Sequence, residues 1–163
     1  MAETLGSLVD KLTIKSIREF YLNKSIKEKD PKFSLKQLKE KLSLLKKQKE
    51  IQLREIDDFI KMALNSKVIL REEKIKLYNP LKDMNKIGSN PKLSQAIEGL
   101  SRKNIELWHL EDEARRTDVS LNFIGKIKKK IDPTNQQRND FIDKIDELFE
   151  IEIKKITKTK RKK

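Results

Sequence analysis

The chain has 163 residues, of which 40% are charged, with a formal net charge of +13 and no cysteine. Without cysteine it can form no disulfide, thiolate zinc site or cysteine nucleophile, and this composition fits a reducing, cytoplasmic location. No apolar stretch approaches the roughly 18 residues that a membrane-spanning helix needs, and the N-terminus lacks the pattern of a secretory signal. Four glycines and four prolines are few, which disfavours a loop-rich or all-β fold.

The positive charge is concentrated at the C-terminus, where the last ten residues, KKITKTKRKK, carry seven basic side chains. One interpretation is a solvated helical surface ended by a frayed tail. The other is weak contact with nucleic acid or acidic lipid through Lys154–Lys163. The tail has neither the aromatics that stack on bases nor an amphipathic pattern for lying in a bilayer.

The first predicted helix runs from Thr4 to about Asn23 and is apolar around most of its circumference, which is typical of a helix central in its bundle. Asp10 projects between the apolar positions Ile14, Ile17 and Tyr21. A carboxylate there should be partly buried and should have a cationic or hydrogen-bonding partner.

The second predicted helix is long. Ser34 caps it, with Gln37 completing a capping box, and leucines at alternating three- and four-residue spacing carry it to about Leu64. At 1.5 Å per residue it would be roughly 45 Å long, as in a bundle or coiled coil. The segment Val68–Tyr78 either continues this helix after a kink or forms a separate short one.

Three more helices are predicted after a loop at Asn79–Pro91, which has two Asn-Pro pairs. One starts with Asn90 as cap and Pro91 in its first position and ends near Thr117. A shorter one starts at Asp118 or Ser120 and ends near Ile131. The last starts at Pro133, after an Asp132 cap, and ends near Ile156. We therefore predict an all-α, mostly antiparallel bundle of about five helices as a single domain over residues 1–156, followed by a disordered basic tail over 157–163.

Polar side chains interrupt two of the apolar stripes. In NIELWHLEDEARRTD, the seam Leu93, Ile97, Leu100 continues in unbroken spacing through Asn104 and Glu111, with Trp108 and Arg115 on the same face. Asn135 and Arg138 fall on the stripe of the last helix. Two arginines favour an anionic ligand, and Trp108 could stack on a base or sugar ring. The predicted ligand-binding residues are Asp10, Asn104, Trp108, Glu111, Asp112, Arg115, Asn135 and Arg138.

The same polar residues have a structural explanation, because buried polar groups can set the register of a bundle. The carboxylates of the last helix, Asp140, Asp143, Asp146, Glu147 and Glu150, superficially suggest a magnesium-dependent nucleotide pyrophosphatase. They project away from the Ile142–Phe149 stripe, which favours solvent-facing charges. The single histidine, His109, lies off the seam and is expected at an exposed position, so no metal site is predicted.

Two motifs in this region resemble a known family. LWHLEDEARRTD followed by IKKKIDPTNQQRNDFIDKID is similar to the bacterial domain of unknown function 4254 (DUF4254), over about Asn104 to Asp146. The opening ETLGSLVDKLTIKSIREFY also resembles a related uncharacterised family, whose pattern is matched at Asp10, Lys11, Asn104, Trp108, Glu111, Asp112 and Arg115. The resemblance implies an all-helical protein, often encoded beside glycosyltransferase or surface-polysaccharide genes, and it supplies no activity, cofactor or catalytic residue.

Together these observations predict a helical bundle whose polar cluster binds an anion or sugar nucleotide in bacterial cell-surface polysaccharide (lipopolysaccharide-type) biosynthesis, as an enzyme or an accessory factor. One alternative is a non-enzymatic interaction module, in which the long helix pairs with another chain, for example as a homodimer. The other is the metal-dependent pyrophosphatase.

Overall fold

A computed structural model of the chain describes residues 3–29, 31–71 and 91–160. Within these residues it contains four helices and no strand: α1 (Leu5–Glu28), α2 (Leu35–Leu64), α3 (Leu93–Ala114) and α4 (Leu121–Lys160). The all-α prediction is confirmed. None of the described helices is long and apolar enough to cross a membrane.

The starts of α1 and α2 follow from local capping. The Thr4 hydroxyl accepts a hydrogen bond from the Ser7 backbone N–H, and Ser34 does the same for Gln37. Each cap satisfies an N–H group that has no partner inside the helix. The predicted capping box at Ser34 and the predicted end of the long helix at Leu64 are both confirmed.

The helices run alternately up and down. Along α1 and α2, Lys15 bonds to Gln52 and Glu19 pairs with Lys49, so these two helices are antiparallel. The buried positions of α2 recur at heptad spacing at Leu38, Leu45, Gln52 and Phe59. This spacing keeps one face of a long helix against its neighbour.

The hydrophobic core lies where α3 and α4 cross the first half of α1 and the end of α2. Leu100 and Ile145 are fully buried at its centre. Gly99 lets α4 come close to α3, since an added Cβ would overlap the Phe141 ring. Gly6 does the same for α1, where a Cβ would meet the Ile142 carbonyl.

The two helices predicted on either side of Pro133 are a single helix, because Pro133 does not start a new one. It lies inside α4, which runs for 40 residues. Proline is unfavourable inside a helix because it lacks an N–H, and it is common at the first position of a helix. The sequence therefore favoured a helix start at Pro133. Asp132 is therefore not a cap. The Ser120 hydroxyl accepts from the Phe123 N–H at the start of α4.

Other helix boundaries in the structure also differ from the predicted ones. Helix α1 continues past Asn23 to Glu28, and α4 continues past Ile156 to Lys160, so the first four residues of the predicted disordered tail are helical. Helix α3 begins at Leu93 after a Lys92 cap, which places Pro91 before the helix. Residues 68–71 are not helical. The rest of Val68–Tyr78, and the loop over 79–90 with its Asn90 cap, lie outside the described residues.

Candidate functional site

A polar network joins three helices beside the core. The Asp10 carboxylate, on α1, accepts a hydrogen bond from the Asn104 amide of α3 at 2.9 Å. It also accepts from Nε of Arg138, on α4, at 2.9 Å and forms a second contact with the same guanidinium. The Asn104 amide also donates to the Thr13 hydroxyl at 2.7 Å. The predicted partly buried Asp10, with cationic and hydrogen-bonding partners, is confirmed.

Each member of the network sits where an apolar stripe enters the core. Asn104 lies between the buried Leu100 and Leu107, and Arg138 lies one turn before the buried Phe141. Asp10 is 5% exposed. A carboxylate at that depth is costly unless it is paired and hydrogen-bonded, and here both requirements are met.

Asp10 and Arg138 form the ion pair of the network. The hydrogen bond to Asp10 raises the pKa of the Arg138 guanidinium above its ordinary value, against the opposing effect of burial. An arginine already titrates far above neutral pH, so Arg138 keeps its positive charge across the physiological range. Both carboxylate oxygens of Asp10 accept hydrogen bonds, and the Asn104 amide nitrogen donates to both Asp10 and Thr13, so the network ties the three helices together.

One turn beyond the network, an aromatic pair joins α1 to α3. The rings of Tyr21 and Trp108 are stacked, with centroids 5.1 Å apart and planes at 12°. The Tyr21 hydroxyl lies 3.4 Å from Nε2 of His109. His109 is exposed, as predicted for a histidine that lies off the seam. The indole N–H of Trp108 is buried and has no acceptor among the described residues.

The aromatic pair lines an open groove of about 370 Å³ between α1, α2 and α3. Two cations line the same groove. Arg18 is exposed on α1, and the Lys41 ammonium of α2 lies 4.9 Å from the centre of the Phe33 ring. The lining residues are Arg18, Tyr21, Leu22, Ser25, Phe33, Leu38, Lys41, Leu44, Leu45, Gln48 and Trp108. We call this the cationic groove.

A second groove, of about 560 Å³, lies on another side of α1, against α3. Its walls include Ile17, Phe20 and Ile105, with Thr13 and His109 among its few polar groups. Phe20 is 64% exposed here. The prediction that α1 is surrounded by the bundle therefore holds for its first half only.

The remaining predicted site residues are not part of the network. Arg115 is 71% exposed and makes ion pairs of 3.6 Å with Glu111 and with Asp112, both on its own helix. Asn135 is half-buried. The predicted stripe of α3 has the correct spacing. Its residues after Leu107, however, are no longer buried in the core. The predicted cluster therefore forms only in part. Asn104 and Arg138 meet at Asp10, whereas Glu111 and Arg115 pair on their own helix.

Two carboxylates of α4 were also misplaced by the sequence interpretation. Asp140 and Asp146 are each 2% exposed, although they were expected to face solvent. Asp146 accepts a hydrogen bond from the Gly6 N–H at 2.7 Å, which satisfies a free donor in the first turn of α1. Among the described residues, no group of three or more His, Cys, Asp or Glu is placed to hold a metal ion.

Sequence reasoning missed Thr13, Arg18 and Lys41. Thr13 is an unremarkable polar residue on a nearly all-apolar helix, and Arg18 is an exposed cation that no local pattern distinguishes. Lys41 belongs to a lysine-rich stretch in which no single lysine stands out. The proximity of Arg18 and Lys41 to Trp108 depends on how α1 and α2 pack, and no local pattern encodes it.

Comparison with protein families confirms the resemblance. Residues 94–163 match a family described as a protein of unknown function, DUF4254. The match covers α3, α4 and the C-terminus, and so includes Asn104, Trp108 and Arg138, while Asp10 lies outside it. No curated protein and no solved structure matches the chain.

Proposed function

We propose that the cationic groove binds an anionic ligand that carries a ring, with a sugar nucleotide as the chemical class, and that the protein acts in bacterial cell-surface polysaccharide assembly. The observation that carries the proposal is the position of Arg18 and Lys41 beside the Trp108–Tyr21 stack. Guanidinium and ammonium groups bind phosphate, and an aromatic wall suits a base or sugar ring.

The size of the groove supports the same ligand class. Its volume of about 370 Å³ lies within the roughly 300–1,000 Å³ of small-molecule sites. Its walls are mainly apolar, with a few polar groups that can orient a ligand. In this proposal Asp10, Asn104 and Arg138 do not touch the ligand, because they hold α1 against α3 and so set the spacing of Tyr21 and Trp108.

The cellular role rests on the DUF4254 resemblance, which implies proximity to glycan genes. A cytoplasmic site of action suits the absence of cysteine. The proposal concerns binding and covers either an enzyme or an accessory factor.

Isothermal titration calorimetry against UDP-sugars, free UDP and polyprenyl phosphates tests the proposal. Replacement of both Arg18 and Lys41 by alanine should weaken binding at least about tenfold, since each lost charge-assisted bond is worth about 1.5–3 kcal/mol. The matched control is Arg102→Ala with Lys128→Ala, which removes two exposed cations outside the groove. No binding to any of the probes by folded protein contradicts the proposal.

A second candidate function is pairing of α2 with another chain, in the simplest case a second copy. Leu44 and Ile51 favour it, since they are seven residues apart and 59% and 50% exposed. Sedimentation equilibrium of the intact chain and of the Leu44→Ser, Ile51→Ser variant distinguishes this candidate. A monomer at all concentrations excludes the homodimer.

A further inference from the structure

Large apolar side chains are exposed where the α1–α2 hairpin turns. Phe33, just before the Ser34 cap, is 45% exposed, and Leu35, the first residue of α2, is 51% exposed. Both line a shallow depression of about 210 Å³ at the end of the hairpin. Exposed apolar side chains that stand together at the end of a helical hairpin indicate a contact surface.

The same end of the molecule is strongly basic. Residues 24–41, which we call the hairpin tip, contain seven lysines against three acidic residues, a net charge of +4. Lys36 and Lys39 are exposed and lie within about 6 Å of Leu35 along the helix axis. Lys27 and Lys29 stand at the end of α1 on the other side of the turn.

We infer that the hairpin tip binds the surface of an anionic lipid bilayer. Phe33 and Leu35 would enter the boundary between headgroups and acyl chains, and the surrounding lysines would pair with lipid phosphates. Lysine clusters beside apolar anchors are the combination that binds such membranes, because burial of apolar area and attraction to anionic lipid add together.

Leu35 decides between a bilayer and a nucleic acid, because the Phe33 ring suits either partner. Lysines alone would serve either polyanion. Leu35 is aliphatic and offers no ring for stacking on a base, whereas a bilayer buries an aliphatic side chain. Membrane binding here differs from the predicted contact of the C-terminal tail, because the residues after Ile156 carry charge and no large apolar side chain.

The inference does not depend on the sugar-nucleotide proposal, because Leu35, Lys36 and Lys39 lie outside the cationic groove. The two surfaces are nevertheless adjacent, since Phe33 lines both the groove and the depression at the tip. A ligand bound beside Lys41 would therefore lie close to the membrane surface, within reach of a lipid-linked phosphate.

Co-sedimentation of the full chain with vesicles tests the inference. One set of vesicles contains 30% phosphatidylglycerol in phosphatidylcholine, and the other is phosphatidylcholine alone. Binding to the anionic set is expected, and raised salt should weaken it. The triple variant Leu35→Ser, Lys36→Glu, Lys39→Glu should lose at least about tenfold in partition, because it removes one anchor and reverses two charges.

A control with the same chemistry is Leu53→Ser, Lys126→Glu, Lys128→Glu, which changes exposed residues away from the tip and should reduce partition much less. A direct readout uses the variant Leu35→Trp in a Trp108→Phe background, which has a single tryptophan. Brominated lipid should quench the fluorescence of that tryptophan.

Four results overturn the inference: no binding to anionic vesicles, equal loss in both triple variants, no quenching of the introduced indole, or complete loss on removal of residues 157–163 alone. Binding of duplex DNA that depends on the tip lysines, without vesicle binding, assigns the surface to nucleic acid instead.

Discussion

Asp10 is the residue on which the packing of three helices converges, because its carboxylate bonds to both Asn104 and Arg138. The side chain of Asp10 is 7% exposed and that of Arg138 is 26% exposed, so the pair is shielded from most solvent. Buried ion pairs often contribute little net stability, but the loss of one partner leaves a costly isolated charge. The network should therefore act mainly by selecting one arrangement of α1 against α3 and α4.

A double-mutant cycle tests this role. Arg138→Met alone should lower the free energy of unfolding by about 2–4 kcal/mol, because it leaves the buried Asp10 carboxyl group without its cationic partner. Asp10→Leu combined with Arg138→Met should cost clearly less than the sum of the single changes, measured by urea denaturation. Additivity within about 0.5 kcal/mol would show that the two side chains are not coupled.

Trp108 offers a second test at the same scale. Trp108→Phe keeps an aromatic ring against Tyr21 and removes the buried N–H that has no acceptor among the described residues. Its unfolding free energy should stay within about 1 kcal/mol of the parent. Trp108→Ala, which also removes the ring, should cost about 2–4 kcal/mol. Equal losses in thermal or urea unfolding would mean that the stack does not stabilise the fold.

Helices α3 and α4 depend on close approach at Gly99, where the Phe141 ring occupies the space of a side chain. Gly99→Ala should destabilise the protein by about 1–3 kcal/mol, since the ring or a helix must shift. Gly125 is the matched control, because it is a helical glycine with no atom within 4 Å of an added Cβ. Gly125→Ala should stabilise by about 0.5–1 kcal/mol. The same sign for both changes in urea titrations would refute the close packing.

Sequence patterns located elements well where the determinants are local. The Ser34 capping box and the heptad of α2 were read directly from spacing. The depth of Asp10 followed from its position among apolar neighbours on α1. Pro133 was misassigned because the same residue suits a helix start, and only the packing of a continuous stripe against α3 keeps α4 helical through it.

The candidate site was predicted in part, for the same reason. Asn104 and Arg138 were found because they replace apolar residues on stripes that enter the core. The stripe itself does not say where the core ends, and so Glu111 and Arg115 were placed too deep. Asp146 was missed because its partner is the backbone of Gly6, 140 residues away along the chain.

At the scale of the whole molecule, positive charge divides between two separate regions. The hairpin tip and the last ten residues together carry eleven of the thirteen excess charges, four and seven respectively. The core reaches along α4 only to Ile153, which is 5% exposed, and the described residues after Ile156 are not part of it.

Removal of residues 157–163 should therefore leave the helical content per residue and the urea midpoint nearly unchanged. It should weaken salt-sensitive binding to DNA, because the charges that it removes act without apolar anchors. Circular dichroism and a binding titration at two salt concentrations measure both effects. Unfolding of the truncated chain would mean that the last turn of α4 is needed by the fold.

The central claim is that the cationic groove binds an anionic ligand with a ring, and Trp108 reports on it directly because the chain has one tryptophan in the wall of the groove. Titration of the intact protein with a UDP-sugar should change the Trp108 emission saturably. Replacement of Arg18 and Lys41 by alanine should shift the midpoint at least about tenfold, and the control pair Arg102→Ala, Lys128→Ala should not. An emission that stays constant up to millimolar UDP-sugar, in folded protein, would contradict the claim.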